Sequence, residues 1–214
     1  MRLFLLTTAV VLSANVAAHA TVTYKTTPST TTSPNGLMSS YAGVTTLNFN
    51  GATIGTTPAG FAGGVVLNGS STNQFQPPNG DSSNFFAVGA PPSYTGTSTF
   101  TPGASYNYFG FYWGSIDAYN TISFFSNGTS VGSVSGSQLV AANDTSATNS
   151  NQFVDFFLSS GTTYDTVVFN TTSANFELDN VAYGNVAVTP EPSSFALLGT
   201  GLLGIAGVLK RRLA

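Results

Sequence analysis

The 214-residue sequence predicts an all-β fold: an antiparallel β-sandwich of jelly-roll form, flanked by an N-terminal signal peptide and a C-terminal membrane-spanning helix. Three observations predict it. Short runs rich in Phe, Tyr, Val and Thr recur along the chain, punctuated by Gly, Asn, Ser and Pro. No segment of the body repeats its apolar residues at the helical period. The chain is also 13% aromatic, with 17 Phe and 9 Tyr, which sets it apart from disordered chains although only 6% of its residues are charged.

The chain divides into residues 1–20, a signal peptide; 21–40, a Thr/Ser/Pro-rich mature N-terminus; 41–188, the sandwich; and 189–214, a tail. The first segment has one positive charge (Arg2), an apolar run from Leu3 to Leu12, and the small-x-small pattern Ala18-His19-Ala20. That pattern predicts cleavage after Ala20. The second, TVTYKTTPSTTTSPNGLMSS, reads as extended and at best partly ordered.

From Val44 the strand signals begin. VTTLNF (44–49), GGVVLN (63–68), FFAV (85–88) and SYTGTSTF (93–100) come first, then YNYFGFYW (106–113), NTISFF (120–125) and TSVGSV (129–134). Asn127-Gly128 between the last two is a strong hairpin signal. QFVDFFL (152–158), YDTVVFN (164–170) and NFELDNVAYGNVAV (175–188) complete the body. Alternation assigns Val154, Phe156 and Leu158 to one apolar face, Ile122 and Phe124 to another, and Phe176 and Leu178 inward with Glu177 and Asp179 outward.

Composition also excludes chemistry. There is no cysteine, and the only histidine, His19, falls in the signal peptide. The mature chain therefore has no thiol nucleophile, no imidazole acid–base and no Cys or His metal ligand, and we expect no enzyme. Five basic residues face eight acidic ones, and Lys25 is the only base between Arg2 and Lys210. An acidic body without a basic patch excludes nucleic acid as a partner.

Three carboxylates stand out: Glu177 with Asp179 on the last strand, and Asp117 in Trp-Gly-Ser-Ile-Asp. They fit three roles: a solvated strand face, contacts to calcium or sugar with help from Asn180, or an acid–base pair for glycoside hydrolysis. Trp113, the only tryptophan, stands with Tyr112 among Tyr108, Phe111 and Tyr119. These rings fit either a sugar-stacking platform or the core.

The tail reads VTPEPSSFALLGTGLLGIAGVLKRRLA. Pro190-Glu191-Pro192 ends regular structure. Residues 193–209 carry no charge and predict a helix of about 26 Å, just short of a ~30 Å hydrocarbon core. Its eight large apolar residues favour insertion by roughly 2.4 to 4.8 kcal/mol before glycine penalties. Lys210, Arg211 and Arg212 place the far end in the cytoplasm and the body outside.

In order and position, these parts resemble the PEP-CTERM sorting signal of Gram-negative bacteria. The resemblance covers about the last 25 residues. It implies recognition of Pro190, Glu191 and Pro192 by exosortase, a membrane-embedded protease-transpeptidase, with Lys210, Arg211 and Arg212 stopping translocation. It further implies transient anchoring in the inner membrane, then release or transfer to the surface or extracellular matrix. YFGFYWGSIDAYNTISFF (108–125) and FELDNVAYG (176–184) are similar to exported β-domains that precede such tails. Phe-x-Leu-Asp-Asn-Val also resembles the last strand of carbohydrate-binding jelly rolls, which implies a structural calcium as cofactor and extracellular polysaccharide as partner. The expected function is a surface- or matrix-targeted structural or adhesive protein. The alternatives are a carbohydrate-binding, calcium-stabilised module and, third, a glycosidase.

Overall fold

The computed structural model describes residues 22–29, 33–72, 74–89, 91–140 and 150–187. The expected signal peptide with Ala18 and Ala20, and the tail with Pro190, Glu191, Pro192, Lys210, Arg211, Arg212 and the expected helix 193–209, lie outside them. No helix among the described residues is long and apolar enough to cross a membrane.

The body is all-β and antiparallel. Its strands are β1 (Val22–Pro28), β2 (Thr45–Leu47), β3 (Phe61–Ala62), β4 (Val65–Leu67), β5 (Phe85–Val88), β6 (Gly96–Phe100), β7 (Tyr108–Gly114), β8 (Asn120–Ser126), β9 (Thr129–Ser135), β10 (Gln152–Leu158), β11 (Thr166–Thr171) and β12 (Phe176–Gly184). One sheet runs β1-β10-β7-β12-β5-β4, with β2 also paired to β12; the other runs β3-β6-β11-β8-β9. From β5 onward only β8 and β9 are sequence neighbours within one sheet, joined at Asn127-Gly128. Every other connection crosses between the sheets. The short Ser159–Thr163 turn is one of them, leading from β10 in one sheet to β11 in the other.

Between the sheets lies one aromatic core. Phe109, Phe111 and Trp113 of β7, Val154, Phe156 and Leu158 of β10, and Phe176 and Leu178 of β12 meet Phe100, Ile122, Phe124, Val167 and Phe169 of the facing sheet. Edge-to-face contacts cross the interface, such as Phe109 on Phe124 at 6.0 Å and Phe111 on Phe169 at 5.6 Å. These geometries match the ring quadrupoles and add to the burial of apolar area. The alternation read from β8 and β10 holds.

Two expectations change. The Thr/Ser/Pro-rich N-terminus is not separate from the sandwich: all seven residues of β1 pair with β10, from Val22 opposite Leu158 to Pro28 opposite Gln152. A polar, threonine-rich segment serves as an edge strand because only one of its edges is paired, and its Lys25 and Pro28 suit such an edge. β12 also does not alternate throughout. Its register against β7 shifts between Asp179 and Ala182, and Asn180 adopts φ +52°. Asparagine tolerates this left-handed conformation. The bulge resets the parity, so Val181 enters the core and Ala182 turns to the outer face.

Trp113 is fully buried and stacks on Phe176 at 4.4 Å and 12°. Trp113→Ala should therefore cost about 3–5 kcal/mol, read as a fall in the urea midpoint with an unchanged slope. A loss below about 1 kcal/mol would contradict this placement of the indole.

Candidate functional site

The outer face of the larger sheet is covered rather than solvated. Tyr108, Tyr112, Phe153, Ala182 and Val186 form a second apolar cluster, packed by Leu37, Tyr41, Val44 and Phe157. The segment from Ser33 to Val44 therefore lies over this face, and acidic side chains that alternation points outward end up buried. Asp155 is 3% exposed and accepts a hydrogen bond from the Tyr108 hydroxyl at 2.6 Å; the same hydroxyl contacts Ser39 Oγ at 2.6 Å. Burial is the first cause of the raised pKa of both Tyr108 and Asp155.

Glu177 and Asp179 do not face solvent, which corrects that reading: they are 3% and 0% exposed. The strand sends them to the expected side, but the loops over that side exclude water. They also separate into two sites.

The first site groups Asp179, Asn180 and Asp81. The bulge lets consecutive residues share the covered face. The Asn180 amide donates to the carbonyls of Asn35 and Leu37, at 2.5 and 3.0 Å. Asp81 comes from the turn before β5 and accepts from the Ser83 backbone N–H at 2.8 Å and the Ser83 hydroxyl at 2.6 Å through one oxygen. Its other oxygen, Oδ2, receives no N–H or hydroxyl donor and faces only what a proton shared with Asp179 would supply; Asn180 Oδ1 has no partner. Gly36, at φ +69°, closes over them; a Cβ there would lie 2.7 Å from Tyr112 Cδ1 and 2.9 Å from Asp81 Oδ2. The Asp179 carboxyl is pushed up to about 8, first by burial, then by the hydrogen bond and charge of Asp81; N–H groups of Asn180 and Phe49 oppose the shift. Lys25, the only base among the described residues, lies on β1 opposite Asp155. A buried carboxyl such as Asp179, without a basic partner, retains a proton or meets a cation.

The second site groups Glu177 and Asp117 in a pocket of about 430 Å³ at the end of the sheet. Gln76 donates its backbone N–H to Glu177 Oε1 at 3.4 Å, while Oε2 has no partner. Burial pushes Glu177 well above the usual carboxylate range, with the Asp117 charge adding to it. Asp117 is raised by burial and accepts from the Tyr119 hydroxyl at 2.6 Å. Asn175, 1% exposed, also lines the pocket, and neither amide atom of its side chain is paired. Among the described residues no three His, Cys, Asp or Glu side chains converge as a metal site.

The aromatic candidates have no open face. Trp113 is in the core, and Tyr112 is fully buried under the loops, its hydroxyl donating to the Asn79 carbonyl. Asp81 and Asn175 are the residues that sequence reasoning missed. The turn Pro-Pro-Asn-Gly-Asp-Ser-Ser gave a weak signal for Asp81, as one of very few acids in the body. Nothing marked Asn175 among so many asparagines.

A family model for the PEP-CTERM protein-sorting motif matches residues 188–212. No curated protein and no solved structure matches the chain. The matched tail carries a signal for exosortase-dependent sorting of an exported protein, anchored transiently in the membrane through that tail. The motif starts two residues beyond Val186, which Asn107 holds at both backbone groups: Nδ2 donates to the Val186 carbonyl and Oδ1 accepts from its N–H, each at 2.9 Å.

The raised carboxyls, Asp179 above all, set a pH dependence. A carboxyl whose folded pKa exceeds its unfolded value holds its proton more tightly in the folded chain. Its stabilisation is full below the unfolded pKa and is lost as pH rises through the folded one. For Asp179 that window runs from the ordinary carboxyl value of 3.8 to about 8, and Glu177, Asp117 and Asp155 act with the same sign. With chelator present, Tm should fall as pH is raised from about 4 to about 8, and Asp179→Asn should flatten the slope. A Tm that rises across this window would contradict the assignment.

Proposed function

We propose that the body is a structural or adhesive module without enzymatic activity, delivered to the cell surface or extracellular matrix through its tail. The observation that supports this most directly is the sorting motif at residues 188–212, which begins two residues after Val186 and its Asn107 clamp. Export delivers the chain, the sandwich closes around its own core, and the tail is then the segment presented for processing. Intact mass spectrometry of the protein from native envelope and medium tests this. The expected product has lost residues 1–20 and ends near Pro190–Ser194, alone or with an added group. A product ending at Ala214 in the membrane fraction would make the tail a plain anchor.

A second reading, of a calcium-stabilised body, is favoured by the unpaired buried oxygens Asp81 Oδ2 and Asn180 Oδ1 beside Asp179. The donors are all oxygens, which suits a hard cation such as Ca²⁺. They come from two segments, so a bound ion would tie the turn before β5 to β12. At a Ca²⁺ concentration of ~100 Kd the gain is about 2.7 kcal/mol, or about 5–10 °C in Tm for a chain of this size. Asp81→Asn should abolish the shift. Equal Tm values in Ca²⁺ and in chelator would leave the pair holding a proton instead.

A further inference from the structure

We infer that the pocket between Glu177, Asn175, Asp117 and Phe75 binds a neutral sugar residue, as the glycan contact of the adhesive module, a role that rests on the reading above. Three segments build it: Ser71 with Gln74, Phe75 and Gln76; the β7–β8 loop with Ser115 and Asp117; and the approach to β12 with Ala174, Asn175 and Glu177. Its volume of about 430 Å³ falls within the range of small-ligand pockets.

The pocket is built for a ligand by its unpaired groups. Glu177 and Asn175 are both more than nine-tenths buried, and between them Glu177 Oε2 and both amide atoms of Asn175 have no protein partner. Leaving such groups unpaired costs stability; these three atoms expose under 1 Å² each and back the pocket wall, so a small turn of either side chain brings them to a donor- and acceptor-bearing occupant. The framework around them is held: Gln76 Nε2 donates to Ser115 Oγ at 2.6 Å, and the Ser115 N–H to Asn151 Oδ1 at 3.2 Å.

The class of ligand follows from what the walls offer. No basic side chain lines the pocket and two carboxyls do, which disfavours phosphate, sulfate and uronate groups. A bare cation fits poorly as well. One Asp117 oxygen already accepts from Tyr119, the amides of Asn175 and Gln76 present N–H donors, and the half-buried Phe75 ring supplies an apolar wall. A sugar carries hydroxyls that both donate and accept, set around an apolar C–H face. Carboxyl, amide and aromatic edge together complement it. The sugar platform thus moves from Tyr112 and Trp113, which are buried, to Phe75 and Glu177.

Isothermal titration of the purified full chain with neutral gluco-oligosaccharides derived from dextran and from cellulose, with polygalacturonate fragments and with CaCl₂ tests the inference. The expected result is saturable binding of a neutral oligosaccharide that is weakened at least ~10-fold by Asn175→Ala and by Phe75→Ala, with Tm within a few degrees of the parent. Phe75 is only half-buried, so this second variant serves if Asn175→Ala fails to fold. Three results each overturn the inference: no binding of either neutral series at ~10 mM, tighter binding of polygalacturonate, or a Ca²⁺ affinity that Asn175→Ala abolishes. Binding that survives both substitutions also overturns it, by placing the contact elsewhere. Neither variant touches the tail, so processing measured by intact mass remains a separate result.

Discussion

β12 changes face between Asp179 and Val181, and most of the molecule is arranged around that change. The strand pairs with β7 on one side and with β5 and β2 on the other, so it is the centre of the larger sheet. Before the bulge, Phe176 and Leu178 fill the core; after it, Val181 does. At the bulge, Asp179 and Asn180 both turn to the covered side, where Asn180 ties down the loop at Asn35 and Leu37. One left-handed residue therefore serves packing on one face and a polar site on the other. The strand then runs to Val186 and its clamp at Asn107, the last fixed point before the sorting motif.

The second constraint is electrostatic. The chain places seven acidic residues between its signal and its tail and only one base, Lys25. A nearby positive charge is thus available only to Asp155, opposite Lys25, among the buried carboxyls described. Asp155 is satisfied by a tyrosine hydroxyl, and Asp117 likewise. Asp179 and Glu177 are less well served, because their neighbours are further carboxyls and amides. Among the described residues these are two places where buried carboxyls and unpaired amides meet, and where a ligand would relieve the charge balance. Both lie on segments joining strands, carried by β12 and the loops around it, while the aromatic core beneath them holds the scaffold rigid.

The strands from β4 to β12 could be found in the sequence because each is a short run of β-branched or aromatic residues between turn residues. β3 escaped notice because two residues in the glycine-rich stretch Ala59–Gly64 carry no period. β1 escaped because threonine and serine spacing looks the same in an edge strand and in a linker; its pairing with β10 is what orders it. The division into two sheets was equally hidden. Turn length hints at a hairpin for β8 and β9, yet a similar short turn after β10 leads to the opposite sheet. At the candidate sites the residue types were legible and their grouping was not: Glu177 and Asp179, two positions apart, belong to different sites, each completed by a residue from a distant loop.

The sequence by itself determined the fold class and the sorting. Residue periodicity is a local property of the strand, and a sorting motif is read by its processing enzyme as a linear segment. Only the tertiary structure decided that Trp113 and Tyr112 are internal, that Glu177 and Asp179 are out of water, and that Asp81 and Asn175 complete their sites. Burial and electrostatic environment depend on which loops cover a face. That is fixed by contacts between residues far apart in the chain, such as Gly36 against Asp81 and Asn180 against Asn35, and no local pattern encodes them.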